Sequence, residues 1–235
     1  MRDILQRGAV ELEIALPSDT LTRFEQYADE LMERNGVMNL TAITGHEEIA
    51  ARHFLDSLVI CNHVPLENKR LIDIGTGGGF PGLPLKLATP SLALTLLDSL
   101  GKRVQFLTEL CGKLGLADVT CVHARAEEWV AEPNVREGFD YATSRAVARL
   151  NLLAELCLPY VRVGGAFLAM KAADSDAELE EAQCAITALG GKLAAVHDVI
   201  IPETKILRRI VIIRKVAETP AQYPRRFAKI RKQPL

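Results

Sequence analysis

The sequence predicts an α/β fold built on a doubly wound, mostly parallel sheet, and three observations point to it. From residue 70 onward, short apolar runs alternate with longer amphipathic stretches. The first run ends directly in a glycine-rich loop, and the last two are joined by a link too short for a helical crossover. Parallel strands covered by helices on both faces read as uninterrupted apolar runs. A hairpin needs only a short turn, so the last two runs pair antiparallel at a sheet edge.

Residues 1–66 read as a helical addition, and residues 67–235 as the sheet domain with a basic C-terminal segment, 205–235, all packed as one unit. Ser18 is expected to cap a helix whose Leu21, Phe24, Ala28 and Leu31 share one face, with Asp19 at its positive end and a stop near Asn35-Gly36. After the link Val37–Thr41, Thr44 with Glu47 forms a capping-box pattern for a second helix carrying Ile49, Phe54, Leu55 and Leu58, closed by Pro65. Seven strands are then predicted: Leu71–Ile74, Ala93–Leu97, Val119–Val122, Tyr141–Thr143, Ala166–Met170, Leu193–Ile201 and Ile206–Ile213. The clearest crossover helices are 99–115 and 174–189.

Composition narrows the class. With 235 residues, 49% hydrophobic and 25% charged, the chain can bury a core, which excludes a mainly disordered protein. Five cysteines, odd in number and without a CxxC, argue against a disulfide scaffold or structural zinc, and no metal is expected. No apolar run approaches the roughly 18 residues of a membrane span, so the expectation is a cytoplasmic protein without a membrane partner. The net charge of −2 hides an asymmetry: residues 205–235 carry +9 and the remainder −11. Such polarity directs attention to an anionic partner near the C-terminus.

The sharpest chemical signal is Leu71-Ile72-Asp73-Ile74-Gly75-Thr76-Gly77-Gly78-Gly79-Phe80-Pro81-Gly82, in which a strand runs into five glycines within eight residues. In open α/β sheets, ligands bind beyond the carboxyl ends of strands, and glycine lets backbone approach them closely. A phosphate-binding P-loop fails, because no Gly-Lys-Ser/Thr follows. A dinucleotide fingerprint remains open: Gly77, Gly79 and Gly82 satisfy GxGxxG, and Asp98 stands where a ribose-binding acid belongs. Asp73 favours the other reading. A carboxylate two residues before Gly75 would repel a pyrophosphate and attract the ammonium and sulfonium of S-adenosylmethionine. A non-catalytic RNA- or nucleotide-binding module is the third alternative.

The motifs Asn39-Leu40-Thr41-Ala42-Ile43, Glu47-Glu48, His53-Phe54-Leu55-Asp56-Ser57-Leu58, the glycine loop, Asp98-Ser99-Leu100-Gly101-Lys102-Arg103, Ser144-Arg145-Ala146-Val147-Ala148 and Tyr223-Pro224-Arg225-Arg226 resemble the RsmG (GidB) family. The resemblance runs from about residue 20 to the C-terminus. It implies a class I, Rossmann-like methyltransferase fold and methylation of a guanine N7 in the decoding-region stem-loop of 16S rRNA. Ala172 departs from the family's usual glycine after Lys171.

Carried over by motif, Gly75, Phe80, Ala126, Glu127 and Arg145 would line the S-adenosylmethionine pocket. Asp73, Gly77 and Asp98 join them, with Asp98 accepting from ribose hydroxyls or capping the following helix. Arg145 demands an anionic partner, which could be the donor carboxylate, a protein carboxylate or RNA phosphate. Arg145 and Lys171 are the candidates for holding guanine's oxygen or a phosphate. His53 and Asp56 are assigned to helix packing in preference to substrate contact.

Guanine N7 has a free lone pair and no proton to lose, so proximity and alignment should supply most of the catalysis. RNA affinity is expected from Arg208, Arg209, Arg214, Lys215, Arg225, Arg226, Lys229, Arg231 and Lys232. Strand alternation divides Arg208 and Arg214 from Arg209 and Lys215. Tyr223 and Phe227 would stack on bases or anchor the tail. The acceptor is 16S rRNA, the 30S subunit or an assembly intermediate, and the enzyme is expected to be a monomer.

Overall fold

The computed structural model describes residues 1–38 and 40–235; Asn39, which opens the Asn39–Ile43 motif, and the side chain of Val37 lie outside the described residues. Seven strands form one sheet: β1 (Arg70–Ile74), β2 (Ala93–Asp98), β3 (Val119–His123), β4 (Phe139–Arg145), β5 (Val161–Ala172), β6 (Gly191–Ile200) and β7 (Leu207–Lys215). Their order is β3-β2-β1-β4-β5-β7-β6. The first five strands are parallel, and β7 lies antiparallel between β5 and the edge strand β6. This is the predicted sheet, hairpin included.

Period-two alternation divides the core into two layers. Leu71, Leu94, Leu96, Ala166, Leu168, Met170, Ile210 and Ile212 face one side, whereas Ile72, Leu97, Phe167, Ala169, Val211 and Ile213 face the other. The first side is covered by α5 (Gly82–Ala88), α6 (Gly101–Lys113) and the N-terminal helices. The second is covered by α8 (Leu150–Cys157), α9 (Asp176–Ala188) and the C-terminal α10 (Phe227–Lys232). A short helix, α7 (Ala126–Trp129), follows β3.

The N-terminal elements are α1 (Arg2–Glu11), α2 (Ser18–Met38), α3 (His46–Ile49), a π-helical stretch Ala50–Leu55, α4 (Asp56–Leu58) and a 3₁₀ turn Val59–Asn62. Leu21, Phe24, Ala28 and Leu31 of α2 form its buried face as expected. Full burial of Phe24, Tyr27 and Leu31 contributes on the order of 1.5–3 kcal/mol for each large side chain. The caps differ from the sequence expectation. The Pro17 carbonyl accepts from the Leu21 N–H at the first turn of α2, while the Ser18 hydroxyl accepts from Arg2. The helix also runs through Asn35-Gly36 to Met38, because Gly36 lies in open space and tolerates helical geometry. Thr44 makes no cap: α3 starts at His46 behind an extended Gly45, with no side-chain cap bond.

Packing ties the helical addition to the loop after β1. The Tyr27 hydroxyl donates to the Gly78 carbonyl at 2.6 Å and stands directly over Gly79, whose φ of +104° admits only glycine comfortably. A side chain at Gly79 would strike that hydroxyl. Among the described residues, no helix is long and apolar enough to cross a membrane.

Candidate active site

Strand β1 connects to β2 on one side, and β4 lies on its other side, so the crevice beyond their carboxyl ends is the sheet's topological switch point. Gly75 closes β1 and Arg145 closes β4. A cavity of about 450 Å³ is lined by Leu40, His53, the glycine loop, Phe80, Asp98, Arg103 and Ala146. Beside it, one of about 180 Å³ is lined by Ile74, Leu97, Ala124, Ala126, Glu127 and Phe227. Gly75, Asp98, Ser99 and Val147 border both.

Asp98 is the hinge of this crevice. One oxygen accepts from the Gly77 N–H at 3.0 Å and the other from the Leu100 N–H at 2.9 Å. Asp98 thus ties off the chain just ahead of α6 and also borders both cavities. Gly77 has φ of +61° and nothing within 4 Å of a would-be Cβ. A side chain there would project into unfilled space, which is what a cradle for a ligand requires.

Asp73 lies elsewhere than expected. Its carboxylate is fully buried behind the loop, accepting at one oxygen from the Thr76 hydroxyl at 2.7 Å and the Gly82 N–H at 2.9 Å. Its other oxygen has no partner among the described residues. Burial raises its pKa to about 6, opposed by those two hydrogen bonds and by Arg145. Residue 73 shares parity with Leu71, so its side chain faces α5 and holds the shape of the loop.

Arg145 finds its anion in a protein carboxylate. Its Nη1 donates to Asp56 Oδ2 at 2.7 Å, its Nη2 lies 3.2 Å from His53 Nδ1, and its guanidinium stands 5.0 Å from the Phe80 ring centroid. Arginine has no acceptor, so His53 Nδ1 must be the unprotonated nitrogen and Nε2 donates to the Thr41 hydroxyl at 2.7 Å. Burial and Arg145 together depress the His53 pKa to about 3, which keeps the imidazole neutral. His53 also stacks on Phe80 at 4.5 Å. The π-helical stretch before Asp56 is the kind of local widening found at functional sites, and it turns both His53 and Asp56 toward Arg145. The fully buried Asp56 keeps the structural role expected of it, pairing with Arg145 and Arg208, while His53 in addition borders the larger cavity.

Phe80 is packed between Tyr27 and His53 and borders the larger cavity. Ala126 and Glu127 border the smaller, with the Ala126 carbonyl fixed by the Tyr160 hydroxyl at 2.6 Å. Lys171 borders neither. Its Nζ bonds Glu178 at 2.6 Å and the Ala148 carbonyl at 2.9 Å, which secures the turn after β4.

The nine basic residues near the C-terminus divide sharply. Arg208 is bound to Asp56, Arg209 to Asp198 and Asp176, and Arg225 to Glu155; Lys215 is buried against Glu137. The expectation that these four supply RNA contacts is thus corrected by their internal partners. Arg214, Arg226, Lys229, Arg231 and Lys232 are exposed, and Tyr223 and Phe227 anchor the segment on the second core layer.

Comparison with known proteins matches this architecture. The family model described as rRNA small subunit methyltransferase G (GidB) covers residues 20–207. A ribosomal RNA small subunit methyltransferase G from Acetivibrio thermocellus is 45% identical over 100% of this chain and 97% of its own length. One from Alkaliphilus metalliredigens is 46% identical over 99% of this chain and 98% of its own. The solved structure of a SAM-dependent methyltransferase from Aquifex aeolicus superposes with a TM-score of 0.51 at 16% identity, covering 68% of this chain and 89% of that one. That likeness speaks to the fold. On the extent of the family match and the full-length identity, the chain belongs to the rRNA small subunit methyltransferase G (GidB) family.

Proposed function

We propose that the protein transfers a methyl group from S-adenosyl-L-methionine to N7 of a guanine in the decoding-region stem-loop of 16S rRNA. The observation that carries this reading is the paired cavity at the β1/β4 switch point, floored by an unfilled glycine cradle and walled by an arginine held on a buried carboxylate. Its relatives' name, ribosomal RNA small subunit methyltransferase G, supports the acceptor class.

The residues fit the donor. Gly75, Gly77 and Phe80 border the larger cavity and would receive its amino-acid end, while Asp98 borders both and can accept from ribose hydroxyls. Ala126 and Glu127 would meet the adenine, and Asp73 acts from behind by fixing the loop. When bound, the donor supplies an electrophilic methyl that passes to nitrogen in a single displacement.

The chain's own work is positioning. No base is required, because N7 carries no proton. A neutral His53 neither protonates that lone pair nor places a second cation beside it. Arg145 orients the wall through Asp56, and Lys171 acts indirectly by holding the turn Ala146–Ala148. We further propose residues 1–66 as the addition that braces the loop through Tyr27, the exposed cations of α10 as phosphate contacts, and action as a monomer in the cytoplasm.

Transfer of labelled methyl to naked 16S rRNA, intact 30S subunits and free guanosine tests the reading and identifies the acceptor's assembly state. Methylated RNA with the label at guanine N7 is expected. An NAD-linked reaction would instead show nicotinamide binding by titration, and absence of transfer to either RNA form would overturn the proposal. Retention of full turnover by both Arg145→Ala and Lys171→Ala would remove those residues from it.

A further inference from the structure

A third cavity, of about 290 Å³, lies against the larger cavity of the crevice and shares His53, Arg145 and Ala146 with it. Three segments distant in sequence converge there. Ile43 and Arg52 come from the N-terminal addition, Arg145 from the end of β4, and Ile201, Ile206 and Arg208 from the β6–β7 hairpin. It shares no lining residue with the smaller cavity, the one that Ala126 and Glu127 border.

Its electrostatics are unbalanced. The fully buried Asp56 accepts from Arg145 Nη1 at 2.7 Å and from Arg208 Nε and Nη2 at 2.6 and 3.0 Å. One carboxylate faces two guanidiniums, so a positive charge is left over on a partly enclosed wall. Arg52, exposed on the rim, has among the described residues a loose contact to Glu48 at 3.4 Å. The remaining lining, Ile43, Ile201 and Ile206, is apolar. Apolar walls with a few converging cations suit a flat, acceptor-rich ring carrying an anionic group, and the volume is near the small end of ligand pockets, about 300 Å³.

The cations are also constrained in a way that suits one reaction. An arginine that reads guanine by its usual bidentate bonds covers O6 and N7 together. Here Arg208 has its fork engaged by Asp56, and Arg145 is held by Asp56 and His53. Neither is free to swing across a purine and occupy the N7 lone pair.

Resting on the methyl transfer proposed above, we infer that this cavity is the acceptor pocket: an RNA purine leaves its stack, seats its ring on Ile43, Ile201 and Ile206 beside the net positive wall of Arg145, Asp56 and Arg208, and presents its phosphate to Arg52. Enzymes acting on bases commonly draw the target out of the stack into such apolar pockets. Entry from this side brings the ring to the shared wall of His53, Arg145 and Ala146, where it meets the cofactor crevice.

Filling the cavity with Ile206→Trp, at a partly exposed position of the hairpin, should leave S-adenosylhomocysteine affinity by calorimetry at the wild-type level while lowering RNA turnover at least about tenfold. Arg52→Glu, on an exposed helical surface, should raise the KM for RNA about tenfold with donor affinity unchanged. If the wild type methylates RNA and both variants match it in kcat and KM, the pocket assignment is overturned while the methyltransferase reading stands. If the wild type fails to methylate RNA, both fall. Should Ile206→Trp lose donor binding, Arg52→Glu decides alone, and an unchanged RNA KM overturns the assignment.

Discussion

Strand β7 and helix α10 carry the same kind of charge and put it to opposite uses. On β7 and the chain leading to α10, Arg208, Arg209, Lys215 and Arg225 each meet a carboxylate, and Lys215 is 1% exposed, whereas Arg214 of the same strand points outward, with its guanidinium on the Gly164 carbonyl. On α10 and its cap, Arg226, Lys229, Arg231 and Lys232 stand in solvent. The first set lies where alternation aims side chains at the core or at a facing layer, so an unpaired cation would carry a desolvation penalty. The second set lies on a short helix whose Ile230 and Phe227 pack on the second core layer, while these cations stand on its exposed surface. A charge count therefore overstates what is available to a polyanion.

The comparison is broken most directly at Lys215. Its Nζ bonds Glu137, the Leu158 and Val161 carbonyls and Thr219. Lys215→Met should cost about 4 kcal/mol in chemical denaturation, by stranding Glu137 and two carbonyls, and should leave the salt dependence of RNA binding unchanged. Arg225→Ala strands the buried Glu155, which accepts from the Arg225 backbone N–H and guanidinium. A loss of about 3 kcal/mol is expected by the same measurement. If either variant instead flattened the salt dependence at full stability, the division of the cations would be wrong. Truncation after residue 216 is a poor probe of RNA binding for this reason, since it removes Thr219 and Arg225 from inside the fold.

Asp73 sharpens the comparison from the acidic side. Its folded pKa, about 6, lies above its ordinary 3.8, so the folded state holds the proton more tightly. The associated stability is complete below pH 3.8 and is lost as pH rises through about 6. Asp73→Asn cannot ionise and should gain on the wild type between about pH 4 and pH 7 in denaturation midpoints. A constant difference across that range would contradict the assignment. The smallest effect is expected at Arg231→Ala with Lys232→Ala. Stability should stay within about 0.5 kcal/mol, while the salt slope of RNA binding falls by about 2.

The glycine loop, the seven strands and the apolar face of α2 were legible because each depends on local periodicity or on residue types with few alternatives. Asp73 was legible as important and misplaced in role. Its parity with Leu71 points it at α5, and that fact outweighs its nearness to Gly75 along the chain. The helix boundaries failed at Ser18, Gly36 and Thr44, where the choice among neighbouring cap positions rests on small energies that tertiary contacts readily override. The association of Asp56 with Arg145 and Arg208 was illegible, since the residues lie 89 and 152 positions apart.

The sequence by itself determined the fold class, the place of the glycine loop at the end of β1 and the family, because apolar period, glycine spacing and ordered motifs are properties of contiguous segments. The tertiary structure alone decided which charges are spent and which remain free. It also decided that His53, Asp56, Arg145 and Arg208 share one wall. Those outcomes depend on which distant side chains exclude water from one another, and pairing under desolvation is settled by the packed layers, not by the order of residues along the chain.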